Sequence, residues 1–348
     1  MPNKSRVKVL VTGASGTVGA EVLKQLKLIA SRVDVTIFDK KNKNSVKAFS
    51  AYKDIFNFFY GDITNPLEVE KVCHNIDFVI HLAAIIPPVA DDLPSLAFKV
   101  NVGGTENLVR SLERNSPNAF ILYTSSISVY GDRLENPLIK VTDDLIPSEG
   151  DEYAITKIKA EEIIQNSKLD WSIFRLGAIM GNHKISKLMF HMPLSTALEI
   201  ATPSDTARAL LSAISKQSSL SKQIFNLGGG VKCQTTYELF LERSFKIFGL
   251  GKVDFPDKTF AEKSFHCGYY EDGIDLENIL SFQKDSLNDY YQNVARNTPA
   301  WQKFFAGVFK KLIKKSLLKK SEPYHAFNTK DKKMMDRFFK NNETLNRS

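Results

Sequence analysis

The sequence predicts an α/β fold with a doubly wound parallel sheet, a small C-terminal lobe and a basic helical tail. Short apolar runs alternate with helical patterns through the first half of the chain, as a parallel sheet covered by helices requires. A glycine-rich turn follows the first apolar run. The 348 residues are 43% hydrophobic and 25% charged, which is typical of a globular protein long enough for two lobes.

The predicted elements follow from these patterns in chain order. Seven short apolar runs are predicted strands: Val7–Val11, Val33–Phe38, Ile55–Tyr60, Phe78–Leu82, Phe120–Thr124, Trp171–Arg175 and Ile224–Leu227. Six segments are predicted helices: Thr17–Ala30, Pro66–Cys73, Pro94–Asn115, Asp151–Ser167, Ser204–Lys216 and Thr236–Phe248. Right-handed crossovers place the carboxyl ends of the strands at one edge, where ligands of doubly wound sheets bind.

The glycine-rich turn between the first strand and the first helix predicts a dinucleotide site of the Rossmann type. Glycines permit a tight turn and a close backbone approach, and the helix N-terminus offers N–H groups and a positive dipole end to a pyrophosphate. The predicted cofactor contacts in this turn are Gly13, Ser15, Gly16, Thr17, Val18 and Gly19.

Asp39 at the end of the second strand predicts NAD as the cofactor, with NADP less favoured. Its carboxylate would accept hydrogen bonds from ribose hydroxyls and repel a 2′-phosphate. Lys40, Lys41 and Lys43 leave two interpretations open, because they would either attract that phosphate or form a solvated basic turn.

Further predicted cofactor contacts follow the third and fourth strands. Asp62 and Ile63 are expected at the adenine edge, although Asp62 would also serve as the N-cap of the next helix. Three residues after the fourth strand would let the backbone approach the cofactor: Leu82, Ala83 and Ala84. Asn101 is included among the contacts, with a structural bond to strand backbone as its expected role, and His81 is expected to be structural.

Tyr153 and Lys157 form a predicted acid/base pair. Residues four apart on a helix share one face, so the ammonium of Lys157 would lower the pKa of the Tyr153 phenol toward the range of proton exchange. Such a pair also occurs on solvated helix faces. Ser126, at the end of the fifth strand, would supply a hydroxyl to the same substrate oxygen.

Taken in order, these motifs resemble the extended branch of the short-chain dehydrogenase/reductase superfamily, the NAD-dependent epimerase/dehydratase family. The resemblance runs from about Val7 to Val294. It implies a catalytic triad of Ser126, Tyr153 and Lys157, in which the tyrosine exchanges a proton with the substrate oxygen during hydride transfer.

The alternation of apolar runs and helical patterns breaks down after Arg175, which predicts a domain division. Residues 1–175 are predicted to form the NAD-binding Rossmann domain, to which residues 203–228 return. Residues 176–202 and 229–300 are predicted to form the substrate lobe, and residues 301–348 a basic amphipathic tail. A homodimer through the helices Pro94–Asn115 and Asp151–Ser167 is a further expectation.

Two departures from the family pattern narrow the predicted reaction. Family dehydratases commonly carry Asp-Glu where this chain has Ile127 and Ser128, and the related decarboxylases usually carry Glu at the position of Ser128. The remaining predicted function is that of an NAD-dependent epimerase or dehydrogenase. It would act at an alcohol or ketone carbon, for example of a nucleotide sugar. Two alternatives stay open: a dehydrogenase or reductase of a lipophilic alcohol or ketone at a membrane surface, and a non-catalytic NAD-sensing scaffold.

The net charge of +8 is confined to the tail. Residues 301–348 contain 13 Lys and Arg against 4 Asp and Glu, so the rest of the chain is nearly neutral and nucleic-acid binding is not indicated. Apolar residues at helical spacing over 301–320, among seven lysines, predict one amphipathic helix that contacts a membrane surface, a partner protein or the body of the chain.

The three cysteines are widely spaced and predict neither disulfides nor a metal site. A reducing compartment and a cytoplasmic location are therefore expected, peripheral at a membrane if the tail binds one.

Overall fold

The computed structural model describes residues 6–181, 187–263 and 265–340, and its centre is a seven-stranded parallel sheet. The strands are β1 (Val7–Thr12), β2 (Val33–Asp39), β3 (Asn57–Tyr60), β4 (Phe78–His81), β5 (Phe120–Ser126), β6 (Leu138–Ile139), β7 (Asp170–Leu176), β8 (Ala178–Ile179), β9 (Ala197–Ala201), β10 (Gln223–Leu227), β11 (Gln234–Thr236) and β12 (Tyr269–Tyr270). The order in the large sheet is β10-β7-β5-β4-β1-β2-β3, so the strand order reverses between β1 and β4. All seven predicted strands lie in this sheet, and the predicted doubly wound fold is confirmed.

The helices cover both faces of the sheet and build the C-terminal region. They are α1 (Thr17–Leu28), α2 (Lys43–Phe49), α3 (Pro66–Glu70), α4 (Val89–Asp92), α5 (Pro94–Phe98), α6 (Gly104–Asn115), α7 (Glu152–Gln165), α8 (Pro203–Ala213), α9 (Gln217–Leu220), α10 (Tyr237–Phe248), α11 (Gly273–Leu280), α12 (Leu287–Arg296), α13 (Ala300–Val308), α14 (Lys310–Leu318), α15 (Glu322–Thr329) and α16 (Lys332–Phe338). The helix predicted over Pro94–Asn115 is divided, because a π-helical turn over Lys99–Gly103 separates α5 from α6.

Two hydrophobic cores flank the sheet. Val9, Val11 and Ile37 pack on one face with α1 and α8, and Leu10 and Val79 pack on the other with α6 and α7. The strands β1, β4, β5 and β7 are buried on both sides, which explains why they appear in the sequence as unbroken apolar runs.

A third core lies in the C-terminal region. It is built around Phe190, Leu198, Phe245 and Tyr291, with small sheets formed by β11-β9-β8 and by β12-β6 beside it. The functional division into a nucleotide domain and a substrate lobe stays a prediction.

The predicted tail helix is two helices in the structure. The chain leaves helical geometry at Phe309, with φ −95° and ψ 14°, so α13 ends there and α14 begins at the next residue. The expectation of one continuous helix over 301–320 was therefore wrong. No helix in the described part of the chain has both the length and the apolar character needed to cross a bilayer.

Candidate active site

A cavity of about 510 Å³ lies at the carboxyl edge of the sheet, beside the β1 and β4 ends where the strand order reverses. It joins predicted site residues from four separate segments of the chain. The predicted residues that line it are Gly13, Thr17, Val18, Gly19, Leu82, Ala84, Ser126, Tyr153 and Lys157. The cavity thus has the position at which doubly wound sheets bind dinucleotides.

The glycine turn is tightly constrained at two positions and open at the third. Gly13 has φ +72°, and a Cβ there would lie 2.5 Å from the backbone nitrogen of Ala83. A Cβ on Gly19 would lie 2.5 Å from Ala14 Cα, whereas at Gly16 its nearest contact would be a backbone oxygen at 3.5 Å. Gly16 is the N-cap of α1 and leaves the first N–H groups of that helix without a side-chain partner in the described structure.

Asp39 is tied to this turn through its carboxylate. Its Oδ2 accepts a hydrogen bond from the Ser15 N–H at 2.8 Å, and its Oδ1 accepts from the Lys40 N–H at 2.7 Å. These bonds hold the carboxylate beside the turn, outside the lining of the 510 Å³ cavity. The geometry is compatible with the ribose role predicted for Asp39.

Asp62 is held by its own loop. Its Oδ1 accepts from the N–H and the hydroxyl of Thr64, and the first of these bonds lowers the pKa of Asp62 below its ordinary value. The N-cap of α3 is Asn65, so the alternative interpretation of Asp62 as that N-cap was wrong. Lys40 Nζ lies 3.7 Å from Asp62 Oδ2. One lysine of the basic turn after β2 is thus paired with a carboxylate. Ile63 is buried against Gly104.

His81 is a buried structural residue, as its sequence position indicated. The Thr12 hydroxyl donates to its Nδ1 at 2.7 Å, and its Nε2–H donates to the Thr105 hydroxyl at 2.9 Å. The Thr105 hydroxyl donates its proton to the Asn101 carbonyl at 2.6 Å, so it can only accept from His81. The proton of the neutral ring is therefore on Nε2. Burial, with Lys157 nearby, lowers the pKa of His81 to about 3, so the ring is neutral at physiological pH.

Asn101 connects the loop after β4 to the helix α7. Its side chain accepts from the Ile85 N–H at 2.7 Å and donates to the Ile85 carbonyl and the Thr156 hydroxyl, both at 2.9 Å. Thr156 in turn donates to the carbonyl of Tyr153. Asn101 lies outside the cavity lining, so the geometry gives it the expected structural bond to backbone.

Tyr153 and Ser126 meet at the cavity wall. The Tyr153 phenol lies near Ser126, and both residues line the cavity. The Ser126 Oγ accepts from the N–H and the hydroxyl of Ser128 at 3.2 and 3.0 Å. Burial raises the pKa of Tyr153 above its ordinary value, and the nearby Ser126 hydroxyl only partly opposes this rise. The phenol is therefore protonated at neutral pH and able to donate.

Lys157 lies beside Tyr153 and is bonded to the backbone of β5. Its Nζ donates to the Thr124 carbonyl at 2.7 Å and lies 5.8 Å from the centre of the Tyr153 ring. Burial lowers the pKa of Lys157 itself to about 7, against an opposing contribution from Glu161. Desolvation disfavours the charged form of both groups, and the lowering of the tyrosine pKa by Lys157 stays a prediction.

The two residues after Ser126 are unable to supply acid/base chemistry to a substrate. Ile127 and Ser128 are both buried and neither lines the cavity. Sequence reasoning missed other carboxylates that do, among them Asp151, which caps α7 through the Ala154 N–H and lies 3.5 Å from His266 Nδ1. An acidic N-cap just before Tyr153 was the available signal.

The C-terminal elements supply further lining residues that the sequence did not indicate. Lys263, Arg337 and Phe338 line the cavity, and the Phe338 carbonyl accepts from the Glu262 N–H at 2.7 Å. The helix α16 thus returns over the cavity. The sequence after β8 also contains three basic residues that could meet a substrate phosphate or lie in a solvated loop: His183, Lys184 and Lys187. His183 and Lys184 lie outside the described residues, while Lys187 pairs with Asp92 and Glu322.

The sheet topology, the glycine turn and the Ser126–Tyr153–Lys157 group together define a Rossmann-type nucleotide-binding protein of the short-chain dehydrogenase/reductase kind. The profile of the NAD dependent epimerase/dehydratase family matches residues 9–199, more than half of the chain. The chain therefore belongs to this family, and the sequence resemblance to the extended branch is confirmed.

Curated relatives are similar over part of their length. CDP-paratose 2-epimerase of Salmonella typhi is 30% identical over 132 residues, which are 36% of this chain and 38% of that protein. The 3 beta-hydroxysteroid dehydrogenase/Delta 5-->4-isomerase of Mycobacterium tuberculosis is 32% identical over 165 residues, 45% and 42% of the respective chains. The chain spans less than half the length of these two relatives.

A solved structure extends the likeness of fold over most of the chain. UDP-glucuronic acid 4-epimerase of Bacillus cereus, in complex with UDP-glucuronic acid and NAD, has a TM-score of 0.69 at 19% identity. The match covers 84% of this chain and 100% of the epimerase chain. This degree of identity establishes a shared fold.

NAD is the cofactor of the family, and the residues present fit it. The N-terminus of α1 has no side-chain cap, so its N–H groups are available to a pyrophosphate. The space beside Gly16 is open, and a side chain at this position would take up part of it. The hydroxyl of Ser125, a lining residue, is buried without a hydrogen-bond partner in the described structure, so a polar group is available to a ligand.

Proposed function

We propose that this protein is an NAD-dependent oxidoreductase or epimerase that acts at an alcohol or ketone carbon. The observation that carries the proposal is the placement of Tyr153, Ser126 and Lys157 in the same cavity as the glycine turn. Bound NAD supplies reversible hydride transfer at the carbon that carries the reacting oxygen.

The protein's own groups would handle the proton and the oxygen. Tyr153 gives its phenol proton to the oxygen when a ketone is reduced, and takes a proton from it when an alcohol is oxidised. Ser126, whose Oγ receives two hydrogen bonds from Ser128, has its own proton free to donate to the same oxygen. Lys157 is buried beside Thr124 and would hold a ribose hydroxyl and stabilise the phenolate when its ammonium is charged.

A nucleotide sugar is the substrate class that the cavity supports best. Lys263 and Arg337 at its C-terminal side are cations suited to a diphosphate, and His266 and Asp151 offer hydrogen bonds to sugar hydroxyls. CDP-paratose 2-epimerase acts on a substrate of this class. The similarity to a hydroxysteroid dehydrogenase, together with Phe265 and Phe338 in the lining, favours a lipophilic alcohol or ketone as the second candidate.

A substrate panel with NAD separates the two classes. We expect turnover with one or more of the UDP-, CDP-, GDP- and dTDP-sugars, and none with steroid or long-chain alcohols.

Arg337→Ala is expected to raise the KM for the nucleotide sugar about tenfold with little change in kcat, as loss of one charged hydrogen bond implies. Lys333→Ala, on the same helix but outside the lining, is the matched control. Turnover confined to lipophilic alcohols would contradict the nucleotide-sugar proposal.

The cofactor preference is tested at Asp39. Asp39→Asn keeps an oxygen for the Ser15 N–H but removes the charge, so NAD binding should weaken about 10- to 100-fold while NADP binding improves. Fluorescence titration with both nucleotides measures the ratio, and Asp34→Asn at the other end of β2 serves as the control. A wild-type protein that binds NADP more tightly than NAD would show that Asp39 has a different role.

The proposed assembly is a homodimer formed through α5, α6 and α7. Leu96 and Phe98 on α5 and Ile155 on α7 are exposed apolar side chains on these neighbouring helices, which supports an interface there. A cytoplasmic location stays a prediction.

A further inference from the structure

The helices α13 and α14 present a contiguous apolar surface to solvent. Its large side chains are between 48% and 67% exposed: Trp301, Phe304, Phe305, Val308, Phe309 and Leu312. Their rings touch one another, with centroids 6.5 Å apart for Trp301 and Phe305, 5.7 Å for Phe304 and Phe305, and 6.5 Å for Phe305 and Phe309. We call these six side chains the aromatic surface. A contiguous exposed patch of this kind indicates an interaction site.

The opposite side of the two helices is fixed to the body of the protein. Leu317 is buried, and Ala306 and Ile313 pack on the C-terminal core. Lys314 pairs with Asp254 and donates to the Lys252 carbonyl at 2.8 Å. The apolar residues therefore divide between an inner set that docks on the protein and the aromatic surface, whose side chains stay about half to two-thirds exposed among the described residues.

The helices that carry the aromatic surface are strongly basic. Residues 301–321 contain seven lysines and no acidic residue. Lys303, Lys310, Lys311 and Lys315 are exposed and form no ion pair within the described part of the chain. An unopposed cluster of this sign complements a surface of anionic headgroups.

We propose that the aromatic surface and its lysines bind the interface of an anionic lipid membrane, with α13 and α14 lying in the plane of the headgroups. Trp and Phe insert at the headgroup boundary, and lysines beside them attract anionic lipid. A second copy of the chain is disfavoured as the occupant, because a symmetric contact would bring two lysine clusters together. A partner protein is disfavoured because lysine is depleted at protein interfaces. The inference does not depend on the substrate.

The test uses the full chain and two kinds of vesicle, phosphatidylcholine alone and phosphatidylcholine with phosphatidylserine. We expect cosedimentation with the anionic vesicles and a blue shift of tryptophan emission when they are added. The shift reports Trp301, because Trp171, the other tryptophan of the chain, is already buried in β7. We expect weaker binding to neutral vesicles and at high salt.

Two sets of variants separate the apolar and the charged contribution. Trp301→Ser with Phe304→Ser and Phe305→Ser should abolish cosedimentation, and the matched control is Leu28→Ser with Leu67→Ser and Val231→Ser, which are also exposed apolar residues. Lys310→Glu with Lys311→Glu and Lys315→Glu should weaken binding at least fivefold for each charge removed, from about 1 kcal/mol per lysine. Lys27→Glu with Lys53→Glu and Lys168→Glu, all exposed elsewhere, is the charge control.

Three results would overturn the proposal. The first is a wild-type protein that stays in the supernatant with anionic vesicles, and the second is a serine variant that binds them as tightly as wild type. The third is a mass by light scattering that falls in the serine variant while neither protein binds vesicles, since the aromatic surface would then join two copies. All variants lie on exposed positions, so an unchanged NAD titration verifies that they are folded.

Discussion

Replacing Tyr153 by Phe is expected to lower kcat by about 10²- to 10⁴-fold, the range typical of a lost general acid/base. The phenylalanine ring keeps the packing of the tyrosine on α7 and removes only the hydroxyl, which lies near Ser126. Because burial raises the pKa of this hydroxyl, it is protonated at neutral pH and is the proposed proton donor. Its loss leaves the substrate oxygen without a proton donor. NAD affinity should change by less than about tenfold, because one hydrogen bond at most is removed.

The measurement compares kcat and NAD affinity in the same preparation. Tyr290→Phe on α12 is the matched control, since it removes a tyrosine hydroxyl from a residue outside the cavity lining and should leave both quantities unchanged. Activity of Tyr153→Phe close to that of wild type would refute the role assigned to the hydroxyl.

Replacing Glu161 by Ala is expected to lower the free energy of unfolding by about 3–5 kcal/mol, the usual cost of breaking a buried ion pair. Glu161 on α7 and Arg175 on β7 are 1% and 4% exposed at their side chains, and Arg175 Nη2 lies 2.8 Å from Glu161 Oε2. The same guanidinium donates to the Tyr130 hydroxyl at 2.9 Å and to the Val141 carbonyl at 3.0 Å. Without the carboxylate its charge would be buried with neutral partners alone.

Urea unfolding at neutral pH measures this loss. Glu162→Ala is the control, because this neighbouring glutamate of α7 is exposed and its removal should change the free energy of unfolding by no more than about 0.5 kcal/mol. A loss below about 1 kcal/mol in Glu161→Ala would mean that the pair does not hold α7 against the sheet.

The strands and the nucleotide turn could be predicted because their signals are local. Buried parallel strands are continuous apolar runs, and the order of strand, glycines and helix is visible around Gly13 without knowledge of any distant contact. The spacing of Tyr153 and Lys157 likewise determines a shared helical face from sequence alone.

What could not be predicted depends on contacts between distant segments. Arg337 and Phe338 reach the cavity only because α16 folds back, where Phe338 lies against His191 with ring centres 5.0 Å apart. The pKa of Lys157 depends on its burial beside Thr124, and charge spacing along a helix carries no information on that. The break at Phe309 divides a segment whose apolar periodicity continues across it.

The central claim is that the nucleotide site and the Tyr153 group form one working catalytic centre, and not a binding site for NAD alone. The most direct measurement is the absorbance of reduced nicotinamide on the protein after NAD-loaded wild type is mixed with each nucleotide sugar and each lipophilic alcohol. We predict that at least one compound reduces the bound NAD in wild type, and that Tyr153→Phe does so at least 100-fold more slowly, at the lower end of general acid/base effects. Tight NAD binding with no reduction by any compound would contradict the claim and favour the sensing scaffold.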